Sequence, residues 1–194
     1  GGKFTRDPKA EGKPIVAVNL GLNEKATNDG LKNLVGCKSL KNLNLFNNSQ
    51  ITVDGMKHIK ELKTLEDLVL NGVAIGDEGL AELKDLKSLK DLSLAGTIRL
   101  SDKSTETIKE FTTLERLALP STITEKGVKN LVTLKKLKLL YIGGSNLTDA
   151  AIKDIADNMP ELENLELGVY DKIGTRITDA SIPDLSKLKK LKKL

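Results

Sequence analysis

The 194-residue chain has no tryptophan, one cysteine and one histidine, and aromatic residues make up only 3% of it. Each scarcity removes a class of explanation. A lone cysteine excludes an internal disulfide. One Cys and one His cannot supply the usual ligand set of a zinc site. No apolar run approaches the roughly eighteen residues of a membrane-spanning helix. Charge of one sign is also scarce, because 31 basic and 27 acidic residues leave a net +4. That balance is far from the footprint of a dedicated nucleic-acid binder. Neither a membrane span nor a nucleic-acid partner is expected. The chain opens Gly-Gly rather than with Met and carries no signal-peptide pattern, so a mature or excised fragment is expected.

What the chain has in quantity is leucine in register. Segment 65–88, LEDLVLNGVAIGDEGLAELKDLKS, opens with L-x-x-L-x-L and closes with L-x-x-L-x-x-L, and the pattern restarts at Leu89. Taking the first apolar residue of each L-x-x-L-x-L as an origin, origins fall at Ile15, Leu40, Leu65, Leu89, Leu114, Leu137, Leu162 and Leu191. Apolar residues three and five after an origin have strand periodicity. Apolar residues three, six and nine before it line one helical face. A hydroxyl residue stands thirteen before most origins (Thr27, Thr52, Ser101, Thr124, Thr178), with Gly76 the exception. An acid follows it at Asp77, Asp102, Glu125 and Asp179. The hydroxyl is placed to cap a helix, and the acid to favour the helix N-terminus. Each unit therefore reads strand, loop, capped helix, loop.

One such unit cannot bury its own apolar face, and stacking supplies the core. The pattern resembles the leucine-rich repeat family, in its ribonuclease-inhibitor-like or bacterial short-repeat form. The phrases ATNDGLKNL, ITVDGMKHI, ITEKGVKNL, LTDAAIKDI and ITDASIPDL carry the resemblance. It covers residues 15–194, as seven full repeats and a partial eighth, with residues 1–14 as an irregular lead-in or N-terminal cap. It implies an α/β fold: a right-handed solenoid bent into a horseshoe arc, with a parallel β-sheet on the concave face and helices on the convex face. It also implies a protein or peptide ligand on the concave face or its edges, and an extracytoplasmic or secreted setting.

Several residues invite sharper chemistry. Cys37 stands three before an origin, in the column of Leu62, Leu86, Phe111 and Leu134, so it reads as a core residue rather than a nucleophile. His58 falls in a convex, polar column and is wrongly aimed to activate Cys37. Gly72, Gly76 and Gly79 match no phosphate-loop spacing and read as turn residues. Asn47-Asn48-Ser49 and Asn146-Leu147-Thr148 match the glycosylation pattern at the frequency of chance. No catalytic residue, metal or cofactor is implied, and the expectation is a non-enzyme.

Irregular units mark the chain's departures. Thr105 takes an apolar slot, so a weakened helix is expected in the fourth unit. Pro160 is expected to end the sixth helix early. The seventh unit carries an insertion, GVYDKIGTR over residues 168–176, which reads either as a binding-rim loop or as a tolerated surface loop. Segment 185–194, LSKLKKLKKL, looks basic, yet its leucines lie on repeat columns, and a solvated helix end is the expectation. Leu194 sits inside an unfinished repeat. Either the natural chain continues or another chain covers this end, so a monomer is expected with end-to-end association as its alternative.

Strand alternation assigns the concave face to the residues two, four and six after each origin. Most of these are small or polar. Phe46, Leu139 and Tyr141 stand out, with Tyr170 of the insertion placed to join the last two. Phe46 and Tyr141, four strands apart, should be roughly 20 Å from each other. Asp67 and Asp91 should be unfavourable neighbours, with Arg116 beside Asp91. Val69 and Glu166 complete the candidate partner-binding set. The leading expectation is a binding scaffold for a protein or peptide. The alternative is a structural segment that presents another domain of a longer protein.

Overall fold

Only a few extended residues fit in each L-x-x-L-x-L before the next turn, and the strands of the computed structural model are three to five residues long. The structure describes residues 2–143, 147–168 and 176–194. Strands β1 (Lys3–Arg6), β2 (Ile15–Asn19), β3 (Asn42–Asn44), β4 (Asp67–Val69), β5 (Asp91–Ser93), β6 (Arg116–Leu119), β7 (Leu139–Gly143) and β8 (Asn164–Gly168) form one sheet in chain order. From β2 onward every pairing is parallel and in phase, so Leu43, Leu68, Leu92, Leu117, Leu140 and Leu165 stack as one column. All six are buried. Helices α1 (Asn28–Leu31), α2 (Val53–Ile59), α3 (Gly76–Ala81), α4 (Thr105–Ile108), α5 (Glu125–Asn130), α6 (Asp149–Asn158) and α7 (Ile182–Leu185) form the second layer. Most are only one or two turns long, too short to persist alone, and their packing against the leucine columns sustains them.

Three devices join the units. The first lies at the helix starts. Ser101, Thr124 and Thr178 cap their own helices through their hydroxyl oxygens. Each also gives its backbone N–H and its hydroxyl hydrogen to the carboxylate of the preceding unit. Thr124 meets Asp102 at 2.8 and 2.6 Å, and Thr178 meets Asp149 at 2.7 and 2.7 Å. Ser101 meets Asp77 at 2.9 and 2.6 Å. The acids expected to serve their own helix dipoles thus also serve as clamps to the next repeat. Asn28 holds Thr52 in the same way, with its amide donating to the hydroxyl at 2.8 Å. Thr148 likewise gives its hydroxyl hydrogen to Glu125 at 2.7 Å, and at the joint left over both members are replaced together, by Val53 and Gly76. Gly127 leaves room for the clamp, because a Cβ there would stand 2.5 Å from Asp102 Oδ1.

The second device is a ladder of alternating charge. The residue after each origin runs Lys41, Glu66, Lys90, Glu115, Lys138, Glu163, Lys192. Glu66 bridges Lys41 at 2.9 Å and Lys90 at 2.6 Å, Lys138 meets Glu115 at 2.6 Å, and Lys192 meets Glu163 at 2.6 Å. This order was present in the sequence and is easily missed, since each charge alone looks like an ordinary solvated residue. The third device is the turn seven residues after an origin. Leu22, Asn47, Gly72 and Gly96 all have φ between 53° and 71° there. Gly72 is therefore a turn residue, as expected, and the units without glycine adopt the same left-handed conformation at some strain.

Several expectations are corrected. The lead-in is not irregular throughout, because Lys3–Arg6 pair antiparallel to β2 and cover that edge with backbone. Phe4 within that strand is 61% exposed and adds nothing to the cover. Pro160 does not shorten the sixth helix; α6 is the longest helix described. The fourth unit does have a reduced helix, a 3-10 turn over Asp102–Ser104 followed by the four residues of α4. Thr105 is fully buried, with its hydroxyl donated to the Asp102 carbonyl and accepting from Asn130. Cys37 is half-buried against the core. Leu188 is buried, and Leu185 and Leu191 pack partly against the core, while Leu194 is 66% exposed. The insertion at 169–175 lies outside the described residues.

Candidate concave binding face

The parallel register brings most of the expected concave residues onto one surface and fixes their neighbours. Asp67 pairs laterally with Asn42 and Asp91, and Asp91 pairs with Arg116. Arg116 chelates Asp91 with two nitrogens: Nε donates to one carboxylate oxygen and Nη2 to the other, the latter at 2.7 Å. This hydrogen bonding raises the Arg116 pKa. Leu139 follows Arg116 in the same row and is half-buried. Glu166, on β8, is paired at 2.5 Å with Lys193 of the eighth unit. Lys193 sits two residues after the origin Leu191, in the column of Asn164, so the columns alone do not pair it with Glu166.

Asp67 is the exception. It is half-buried, and among the described residues it has no ion-pair partner. Its one polar side-chain contact is a long hydrogen bond from Asn42 Nδ2, at 3.4 Å. Burial pushes its carboxyl above the ordinary aspartate value, the Asn42 contact opposes this, the Asp91 charge adds to the rise, and the Arg116 charge offsets part of it.

Two depressions divide the face. The first is lined mostly by polar residues and lies over β2 to β4, with Asn19, Asn42, Asn44, Asp67 and Val69 on its wall and Lys3 and Thr5 of β1 closing its far end. Sequence reasoning missed that wall because nothing in residues 3–6 carries a strand pattern of its own. The second is apolar and lies at the C-terminal ends of β5 to β7, lined by Ala95, Gly96, Leu119, Pro120, Tyr141 and Gly143. Tyr141 is half-buried rather than protruding. Its hydroxyl is buried and lies over Gly143 and Gly168, and a Cβ at Gly168 would stand 2.5 Å from it. Phe46 is 38% exposed, beyond the end of β3. The two aromatics are thus not joined. Tyr170 lies outside the described residues.

Among the described residues, this face brings together no assembled catalytic centre. Cys37 lies on the loop before β3 and half-buried His58 on α2, away from the sheet surface. Among the described residues no group of three or more His, Cys, Asp or Glu could hold a metal ion. Among them too, no helix is long and apolar enough to cross a membrane.

An open parallel sheet of single-turn strands, backed by short helices and repeated every two dozen residues, is the leucine-rich repeat fold. The solved structures similar to this chain have that fold. An internalin (inlF) of Listeria monocytogenes superposes with a TM-score of 0.58 at 21% identity, over 92% of this chain and 60% of that one. Internalin C2 (inlC2) of the same organism gives 0.56 at 24% identity, over 87% of this chain and 74% of that one. The Arabidopsis receptor kinase HAESA, solved with the peptide hormone IDA and the co-receptor SERK1, gives 0.60 at 18% identity, over 95% of this chain and 34% of that one. This chain therefore spans about three fifths of the first and about a third of the last. No family model matches the sequence, and no curated protein matches it.

Proposed function

We propose that this chain is a non-enzymatic scaffold that binds a protein or an extended peptide on its concave face. The observation that carries the reading is the make-up of that face. Small and polar side chains line it, and an apolar depression at Pro120 and Tyr141 and a polar one at Asn44 and Asp67 interrupt it. Interfaces of this kind combine an apolar anchor with a hydrogen-bonding surround. The fold likeness to HAESA, whose structure holds a peptide hormone and a co-receptor, supports the same class of ligand. Leu139, Tyr141 and Phe46 are the apolar contacts in this reading, Val69 lines the first depression, and the inserted rim loop contributes Tyr170. An extracytoplasmic setting goes with the repeat type.

The test is a steric block. Ala118 is half-buried at the centre of the face, between Ser93 and Tyr141. Ala118→Trp should abolish binding of a selected peptide ligand while the circular dichroism spectrum and melting temperature stay near wild type. Undiminished binding by this variant would move the ligand off the concave face. A second reading, a structural segment presenting another domain, draws support from the partial coverage of the longer inlF and HAESA chains. Fusing the array to its natural neighbours and finding no ligand for the array alone would favour it.

A further inference from the structure

The concave charges can be taken one by one. Asp91 is neutralised by Arg116 and Glu166 by Lys193. Asp67 remains, half-buried in the polar depression, with a marginal amide contact and a like charge in the next strand. A carboxylate so placed gains from an incoming cation more than an exposed one does, because the surrounding protein screens the attraction less than water would. Lys3 stands at the far wall of the same depression, on β1, so the negative charge is localised at β4 rather than spread across the groove.

The second depression has the opposite character. Ala95 and the half-buried Tyr141 offer carbon surface beside the exposed Gly96, and the buried Leu119 and Pro120 form the floor. It is centred on β6, two strands from Asp67, at positions six residues after the origin where Asp67 is two after. At about 4.8 Å per strand and 3.3 Å per residue, the two seats are about 16 Å apart, the length of about five extended residues.

We infer that the ligand is an extended peptide that sets one lysine or arginine side chain against Asp67 and one aliphatic side chain, about five positions away, in the Pro120–Tyr141 depression. This rests on the concave-face reading above. Asn42 and Asn44 flank the cation seat and supply hydrogen bonds to the peptide backbone. The charge complementarity selects a basic residue over an acidic one, and the spacing selects the separation.

The experiment is an NMR titration of the isotopically labelled chain with capped alanine hexapeptides. One carries lysine and leucine five positions apart, one carries glutamate in place of the lysine, and one carries lysine and leucine adjacent. The Asn42 and Asn44 side-chain amides and the backbone of β4 report the cation seat, and Gly143 reports the apolar one. The spaced lysine peptide should bind about tenfold more tightly than the other two, and Asp67→Asn should remove its advantage over the glutamate peptide. Equal binding of the lysine and glutamate peptides, or an unchanged preference in Asp67→Asn, overturns the cation seat. Equal binding of the spaced and adjacent peptides overturns the two-seat geometry. If the peptides bind without regard to Asp67 yet are lost in Ala118→Trp, the concave reading stands and this inference fails. Binding indifferent to both variants removes both, and a spaced peptide that does not bind at all also overturns the inference.

Discussion

Removing the Asp102 carboxylate tests how the units are held together. Its two oxygens receive the backbone N–H and the hydroxyl of Thr124, at 2.8 and 2.6 Å. Asp102→Ala leaves both donors of a partly buried helix start without that acceptor. Hydrogen bonds to a charged group contribute about 1.5–3 kcal/mol each when well shielded, and partial access of water brings the pair to about 2–3 kcal/mol together. For a chain of this size that is a fall in melting temperature of about 4–12 °C. The loss should be local, since stability in a stacked array is a sum over neighbours. Hydrogen exchange should accelerate most in α4 and α5 and least in β2 and β3. Asp102→Asn provides the control, because Asn28 already holds Thr52 by the same geometry without a charge. That variant should lose less than about 1 kcal/mol. Thermal melts with residue-resolved exchange decide the matter. An Asn variant as damaged as the Ala variant would mean that charge, not the paired hydrogen bonds, makes the joint, and a neutral Ala variant would mean the clamp contributes nothing.

Leu22→Gly should stabilise the protein by about 0.5–1 kcal/mol in a denaturant melt, since Leu22 holds φ at 58° with its side chain 67% exposed. Asp149 should make the C-terminal units acid-sensitive. Hydrogen bonds from the Thr178 backbone N–H and then its hydroxyl hold its carboxyl below the ordinary aspartate value. A depressed folded-state pKa contributes stability that is fully present above the ordinary value and is lost as pH falls through the lowered one. Asp149→Asn should therefore flatten the melting temperature against pH below about pH 4, and an unchanged acid limb would refute this. Glu115→Lys places three like charges in a row with Lys90 and Lys138, and should lower the melting temperature at low ionic strength. About 1 M salt should erase most of that difference, because these side chains are exposed and screened.

The repeat itself was legible because its cause is one-dimensional. A leucine column is buried by the same column in the next unit, so a fixed spacing along the chain fixes the register of Leu43 on Leu68 and of Leu68 on Leu92. The same logic placed Cys37 and Thr105 towards the interior, although the two differ in depth. It also made Asp67 and Asp91 neighbours and set Arg116 beside the second of them. Spacing did not show what a side chain does once it arrives. Tyr141 was on the right face, yet it lies down over Gly143 and Gly168, because the absence of a side chain at both glycines leaves a hollow that a ring fills. The acids at the helix starts were in the right column, but only the stacked units bring Asp102 within hydrogen-bonding distance of Thr124, 22 residues on. Pairing of β1 with β2 also needed the folded molecule, since an edge strand draws its order from the backbone groups it covers rather than from a pattern of its own. Periodicity decided the layers and their register, and tertiary contact decided which concave carboxylates, such as Asp91 and Glu166, gain a cation and which, such as Asp67, do not.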